Sequence, residues 1–315
     1  MQTVSSFKLF SSYFDLKKDR WAGSRGYLLK FVEEDMEFYS VLASWPDLGD
    51  RDLDLRYSDL ENQIITKDFL PVYSLGKKFG QRASWRLESN LPSHFLSSGQ
   101  SSADLEQFMT YSFPRMKAKI QKDLGLELLD LLHEMDHYPP SFKLCLDFNL
   151  KFSKEEVYRV FAKIGQEERS RISWIEDAFA GSCEQWQDFE ETFGIAIFSD
   201  WYQPEFGRIK KRVIKALRDY AKVDFSELEE VLLTSYLSHP LEQVLSQKLA
   251  NSLEMDDLYL GLSTHLEYPE NDFSKLLKLK SACLTLEDNE SFQALLDHQE
   301  WRSLGVFKKQ EMLGT

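Results

Sequence analysis

The sequence predicts an α/β protein, a modified TIM barrel covered by an α+β capping domain. Three observations predict it. From His94 onward, short apolar runs alternate with amphipathic segments at roughly 15 to 30 residues per repeat, the length of a strand-plus-helix unit in a barrel. Successive runs end in one ionisable residue each: Asp147 closes Phe142–Asp147, Glu176 closes Ile172–Glu176 and Asp200 closes Ile195–Asp200. The residues before about position 90 do not follow this rhythm.

The elements follow in chain order. The mainly apolar runs Tyr27–Val32 and Glu37–Leu42 flank the acidic turn Glu33-Glu-Asp-Met36, and are expected to pair as strands. The Pro- and Asp-rich stretch Trp45–Asp50 leads to an expected helix near Ser58–Ile65. Lys117 and Lys119 lie on the next strand, within Phe113–Ile120, and Lys215 lies on another, Arg212–Ala216. Ser153 followed by acidic residues is a helix start, with Val157, Val160, Phe161 and Ile164 on one apolar face. Further helices are expected over about 184–192 and, after Pro240, over about 241–253. The tail beyond Ser263 is expected to be mainly helical, with Leu304–Phe307 as a last strand. The expected organisation is a capping domain over residues 1–92, a barrel over 93–284 and a closing segment over 285–315.

A chain of 315 residues with 43% hydrophobic content has ample material for a large core. Its formal charge of −14 argues against nucleic acid or an anionic membrane as partner. Three scattered cysteines suit a reducing compartment better than a disulfide framework. The first residues lack the basic-then-apolar pattern of a secretory signal, and no apolar run is long enough to span a bilayer. These features lead us to expect a cytoplasmic protein, monomeric or weakly homo-oligomeric, that takes a small molecule.

Side chains two apart on a strand share a face, so Lys117 and Lys119 face the barrel interior together. Neighbouring ammonium groups depress one another's pKa, which would leave one neutral near pH 7 and able to act as a base. The same spacing also fits an edge strand carrying two solvated lysines. Asp147, Glu176 and Asp200 bring hard oxygen ligands from three strands, a set that suits Mg²⁺, with Mn²⁺ as a substitute. Asn149 shares the face of Asp147 and is placed to orient a ligand. His133-Glu-Met-Asp-His137 matches a zinc-protease pattern, but Pro139 and Pro140 end that helix, and a helix terminus carrying histidines explains it. His94, His239 and His265 lie near strand ends, where a structural role accounts for each.

The ordered set of Lys117-Ala-Lys119, Asp147-Phe-Asn149, Glu176, Asp200 and Lys215 resembles the enolase superfamily, and within its muconate-lactonizing-like subgroup the o-succinylbenzoate synthase family. Arg25–Leu29, Thr192–Ile197, Gln203–Phe206, Val213–Lys215, Leu233–Ser235 and Gly261–Thr264 extend the likeness over nearly the whole chain. The resemblance implies a (β/α)7β-type barrel and Mg²⁺ held by Asp147, Glu176 and Asp200. It implies catalysis by Lys119, Lys117 and Lys215, with Ser235, Gly261 and Asn149 contacting a dicarboxylate substrate. The implied activity is a dehydration in menaquinone biosynthesis. An N-acylamino acid racemase, a dipeptide epimerase, or an inactive barrel serving as a binding module remain open alternatives. Several surroundings depart from the family pattern: Asp177 and Ala178 follow Glu176, Trp201 and Tyr202 follow Asp200, Ala216 follows Lys215, and Ser238 and Glu242 replace commoner residues. The segments Asp19–Gly26 and Trp45–Asp50 are expected to close over the barrel mouth.

Overall fold

A two-residue turn at Glu34 and Asp35, with Glu34 at φ 52°, lets the chain fold back on itself as the sequence pattern requires. In the computed structural model, strands β2 (Ser24–Glu33) and β3 (Met36–Ala43) pair antiparallel across it, and β1 (Ser6–Leu16) pairs with β2. The structure describes residues 6–16, 24–44, 50–82, 85–87, 89–97, 99, 101–200, 210–255, 257–268 and 270–309. This sheet buries both faces. Phe7, Leu9, Leu29, Phe31 and Phe38 pack on helices α1 (Leu53–Glu61) and α2 (Leu70–Phe79). Leu28, Tyr39 and Val41 join Ile214, Leu217, Leu241 and Val244 of the barrel in a common core, which fixes the cap against the barrel. Helix α1 begins earlier than expected. Asp52 accepts a hydrogen bond from Asp54 N at 2.8 Å and caps it, and Asn62 ends it, so residues 62–65 are not helical.

Strands β4 (Phe95–Leu96), β5 (Arg115–Lys119), β6 (Lys143–Asp147), β7 (Ile172–Glu176) and β8 (Ala196–Phe198) form one parallel sheet in sequence order. Strands β9 (Lys211–Lys215), β10 (Glu230–Thr234) and β11 (Leu258–Gly261) form a second. Single parallel bridges, Ser199 to Arg212 and Ser93 to Leu260, join the two into a barrel. Cys145, Trp174, Phe198, Val213 and Leu232 fill its interior. Helices α3 (Ser101–Tyr111), α4 (Leu124–Glu134), α5 (Lys154–Phe161) and α6 (Gln166–Ser170) lie along its first half. Ser153 caps α5 by accepting from Glu156 N, as the sequence indicates. Helix α7 (Cys183–Phe193) follows β7, starting at a Ser182/Gln185 capping box and ending at Gly194, whose φ of 71° favours glycine. Helix α8 (Ala216–Asp219) is a four-residue turn after β9, and α9 (Pro240–Ser252) follows β10.

The tail is less helical than the sequence suggests. After α10 (Asp272–Leu276) it forms the hairpin β12 (Leu277–Lys280) and β13 (Cys283–Leu286), then α11 (Asn289–Asp297). The last strand, β14 (Arg302–Lys308), returns to pair with β1 at the edge of the cap sheet. Of the expected lid segments, Asp19–Gly23 and Trp45–Gly49 lie outside the described residues. Ser24–Gly26 belong to β2, and the Tyr236 hydroxyl donates to the Asp50 carboxylate, a cap-to-barrel contact. No helix among the described residues is long and apolar enough to cross a membrane.

Candidate active site

Parallel pairing in register sets the strand ends level with one another. Lys119 pairs with Asp147 and Asp147 with Glu176, while Thr234 lies between Lys215 and Gly261. The ionisable residues that end these strands therefore meet on one face of the barrel. All nine site residues expected from the sequence line a single cavity: Lys117, Lys119, Asp147, Asn149, Glu176, Asp200, Lys215, Ser235 and Gly261.

The lysine pair divides unequally. Lys117 is buried and donates to Glu176 Oε2 at 2.7 Å, with Asp147 Oδ2 at 3.0 Å. Lys119 keeps 40% of its side chain exposed and has Asp147 Oδ2 only at 3.8 Å. Burial pulls the Lys117 pKa down, but Asp147, Glu176 and Asp200 outweigh burial and raise it. The expectation that the two ammonium groups depress one another is therefore corrected for Lys117, because carboxylates are its nearest neighbours. Lys117 is locked and charged. Lys119 is the amine with room to reach a ligand.

On the far side of the cavity Lys215 Nζ donates to Asp200 Oδ2. Two groups that the sequence does not mark as site residues complete this side. Arg218 Nη2 donates to Asp200 Oδ1 at 3.0 Å, and Asp177 Oδ1 accepts from Asp200 N at 3.0 Å. Burial pushes the Asp200 carboxyl up, yet Lys215 and Arg218 prevail and hold it below the usual carboxylate range. Asp177 is pushed well up by burial and by Asp200, Glu176 and Asp147. His94, also on the cavity wall, falls to about 3 through burial and the nearby Lys117 and Arg115, so its ring is neutral. His239 and His265 are likewise buried and lowered, to about 3 and about 4. A regular apolar strand announces itself in sequence; Arg218, on a four-residue helix, carries no such signal.

Among the described residues, no group of three His, Cys, Asp or Glu side chains forms a ready-made metal shell. The three expected Mg²⁺ ligands have ammonium partners here: Lys117 stands between Asp147 and Glu176, and Lys215 stands on Asp200. The donor chemistry fits Mg²⁺ all the same. Asp147 Oδ1 is buried without a hydrogen-bond partner. Glu176 is pushed up to about 7 by burial and by Asp147 and Asp200, against the pull of Lys117 and Lys215. A divalent cation would relieve that crowding of carboxylates. By contrast, His133 and His137 sit exposed around the C-terminal end of α4, on the outside of the barrel.

Comparison with known structures settles the architecture. A muconate lactonizing enzyme from Pseudomonas fluorescens, complexed with muconolactone, superposes with a TM-score of 0.70 over 99% of both chains, at 12% identity. The chain has the barrel fold of the enolase superfamily. A mandelate racemase/muconate lactonizing enzyme from Roseiflexus sp. also gives a TM-score of 0.70, at 13% identity, covering 90% of this chain and 96% of that one. In sequence, the o-succinylbenzoate synthase of Bdellovibrio bacteriovorus is 24% identical over 309 residues, 89% of this chain and 92% of the relative. No family model matches the chain. At such identities the structural likeness concerns the fold, and the chemistry has to be argued from the cavity.

Proposed function

We propose that the protein is a Mg²⁺-dependent dehydratase that converts 2-succinyl-6-hydroxy-2,4-cyclohexadiene-1-carboxylate to o-succinylbenzoate, in menaquinone biosynthesis. The observation that carries this reading is the cavity itself, with two lysines on one side, a third opposite, and three carboxylates between them. The name of the Bdellovibrio relative supports the choice of substrate. Asp147, Glu176 and Asp200 would hold Mg²⁺, which when bound supplies an electrophile for the substrate carboxylate.

The chain's own residues divide the remaining work. Lys119, the least engaged amine, takes the proton from the carbon that bears the ring carboxylate. Lys117, fixed between Asp147 and Glu176, keeps positive charge beside the developing anion. Lys215 opposes that anion from the other wall. Proton and hydroxyl leave from the same ring face, so the protonated Lys119 is placed to return its proton to the departing hydroxide. The C–O bond breaks, one water is released and the ring becomes aromatic. Three lysines, together with the Mg²⁺ that the three carboxylates would hold, would give an acidic protein a local positive balance that attracts a dicarboxylate.

A racemase or epimerase of the same superfamily would use Lys119 and Lys215 in turn as bases. The ion pair of Lys215 with Asp200 supports electrostatic holding over proton shuttling. The test is turnover of the cyclohexadiene substrate, followed by absorbance as the ring aromatises, beside racemisation of N-succinyl amino acids. Racemisation without dehydration transfers the site to the racemase reading. Absence of both, with tight binding retained, makes the barrel a binding module.

A further inference from the structure

Where its two sheets meet on the Asp200 side, the barrel is joined by little backbone pairing. Strands β5 and β6 are tied by a continuous parallel ladder, and β6 and β7 by one with a single register shift between Leu144 and Cys145, but β8 and β9 share a single bridge, Ser199 to Arg212. Asp200 and Lys215 face each other across this seam, so a continuous ladder does not set their spacing. A closed circuit of side chains spans it. Lys215 Nζ donates to Asp200 Oδ2. Arg218 Nη2 donates to Asp200 Oδ1 at 3.0 Å and to the Asp200 carbonyl at 3.1 Å. Arg218 then grips Asp219 with two prongs, Nε to Oδ1 at 2.8 Å and Nη2 to Oδ2 at 2.9 Å. Asp219 Oδ2 accepts from the backbone N–H of Lys215 at 2.8 Å, which completes the ring.

We propose that Arg218 and Asp219 are positioning residues that hold Lys215 and Asp200 at a fixed separation across the open seam. The proposal rests on the reading of Lys215 given above. Arg218 does not line the cavity, and only 13% of its side chain is exposed, so it acts through its partners and not on substrate. Only a planar guanidinium makes the two-pronged bond to Asp219 while also reaching Asp200; a lysine at this position is a point charge and spans one partner at a time. The short α8 is what makes the clamp possible. It turns Arg218 and Asp219 back toward β9 within four residues of Lys215, while Leu217 beside them packs into the core shared with Tyr39, Val41, Leu75 and Phe79 of the cap. The cap is thereby coupled to the placement of Lys215.

The experiment compares R218A, R218K and R218Q with wild type, and adds the double variant K215A/R218A. Folding is checked by circular dichroism, and R218K and R218Q serve if R218A does not fold. Displacing a catalytic group by about 1 Å costs on the order of 10²-fold. Accordingly kcat for dehydration should fall about 10- to 100-fold in R218A and R218K, with KM changing less than about 3-fold. Millimolar guanidinium should restore R218A, and R218A should cost little further in the K215A background. A separate reading needs no turnover. In [¹³C]lysine-labelled protein the Lys215 Cε resonance, assigned by its absence in K215R, should move in R218A and return with guanidinium, while that of Lys119 stays. If wild type turns over none of the substrates, the functional reading falls and the resonance alone judges the clamp. Unchanged kcat, full additivity with K215A, or an unmoved Lys215 resonance overturns the proposal.

Discussion

Gly261 ends β11 on the cavity wall, and the structure leaves no space for a side chain there. A Cβ at this position would lie 2.6 Å from both Cε1 and Nε2 of His94 and 3.1 Å from Cγ2 of Thr234. Comfortable contact between such atoms begins near ~3.5 Å, so the added methyl overlaps the ring by about 1 Å. His94 is 2% exposed and lies edge-on to Trp174, with ring centroids 5.9 Å apart, so it can yield only toward the cavity that it lines. Overpacking of this kind costs about 1–3 kcal/mol. At roughly 2 °C per kcal/mol for a large domain, Gly261→Ala should lower Tm by about 4 °C. Turnover should fall as well, because the displaced ring and the new methyl both enter the cavity. Scanning calorimetry reads the first effect and the dehydration assay the second. The double variant His94→Ala/Gly261→Ala should be less destabilised than the two single losses sum to, since the clash is gone. A Tm within about 1 °C of wild type, or strict additivity, would show that His94 does not pack against Gly261.

Other outcomes follow from the same geometry. Lys119→Ala should keep the fold and lose on the order of 10³-fold in turnover, because base and proton donor vanish together; an active variant would mean that another group is the base. Lys215→Ala should lose a similar factor, and retention of substrate affinity in equilibrium dialysis would place the loss in the chemical step. Asp147→Ala, which removes the unpaired buried Oδ1, should abolish Mn²⁺ binding as read by electron paramagnetic resonance; unaltered Mn²⁺ affinity would move the metal elsewhere. Glu242, buried in α9, is pushed up to about 7 by burial, against hydrogen bonds from Ser246 and Tyr236 N–H. Its unfolded pKa is about 4.3, so the folded state holds the proton more tightly. The stability it contributes is present below about pH 4.3 and is lost as the pH rises toward 7. The Tm of Glu242→Gln relative to wild type should therefore rise between about pH 5 and pH 8, and a difference that does not vary with pH would sink this assignment.

The residues that end barrel strands are legible in the sequence alone, because a parallel strand is short and its apolar run has a sharp end. A short, mainly apolar run and one ionisable terminus identify it, and register then brings Lys119, Asp147 and Glu176 level. The helix that starts at Ser153 is legible for the same local reason, a cap and an apolar face. Local rules fail where competing partners decide. Asp52, not a residue nearer Ser58, starts α1 because its side chain captures a free N–H there. The last strand is legible in the sequence, and β14 pairs with β1 from the opposite end of the chain, but the hairpin of β12 and β13 stands where the sequence suggests helix. The same holds for charge. Two lysines one residue apart suggest mutual depression, but the folded chain surrounds Lys117 with carboxylates and reverses the sign. Arg218 and Asp177 carry no mark of a site residue in the sequence, and His94 reads there as structural, because the importance of each lies in contacts across the barrel. The sequence determined which chemical groups are present and which strand carries each. Tertiary structure alone decided which of them are paired, which are buried and which amine is least engaged, since electrostatic energies depend on distances and burial that no local pattern encodes.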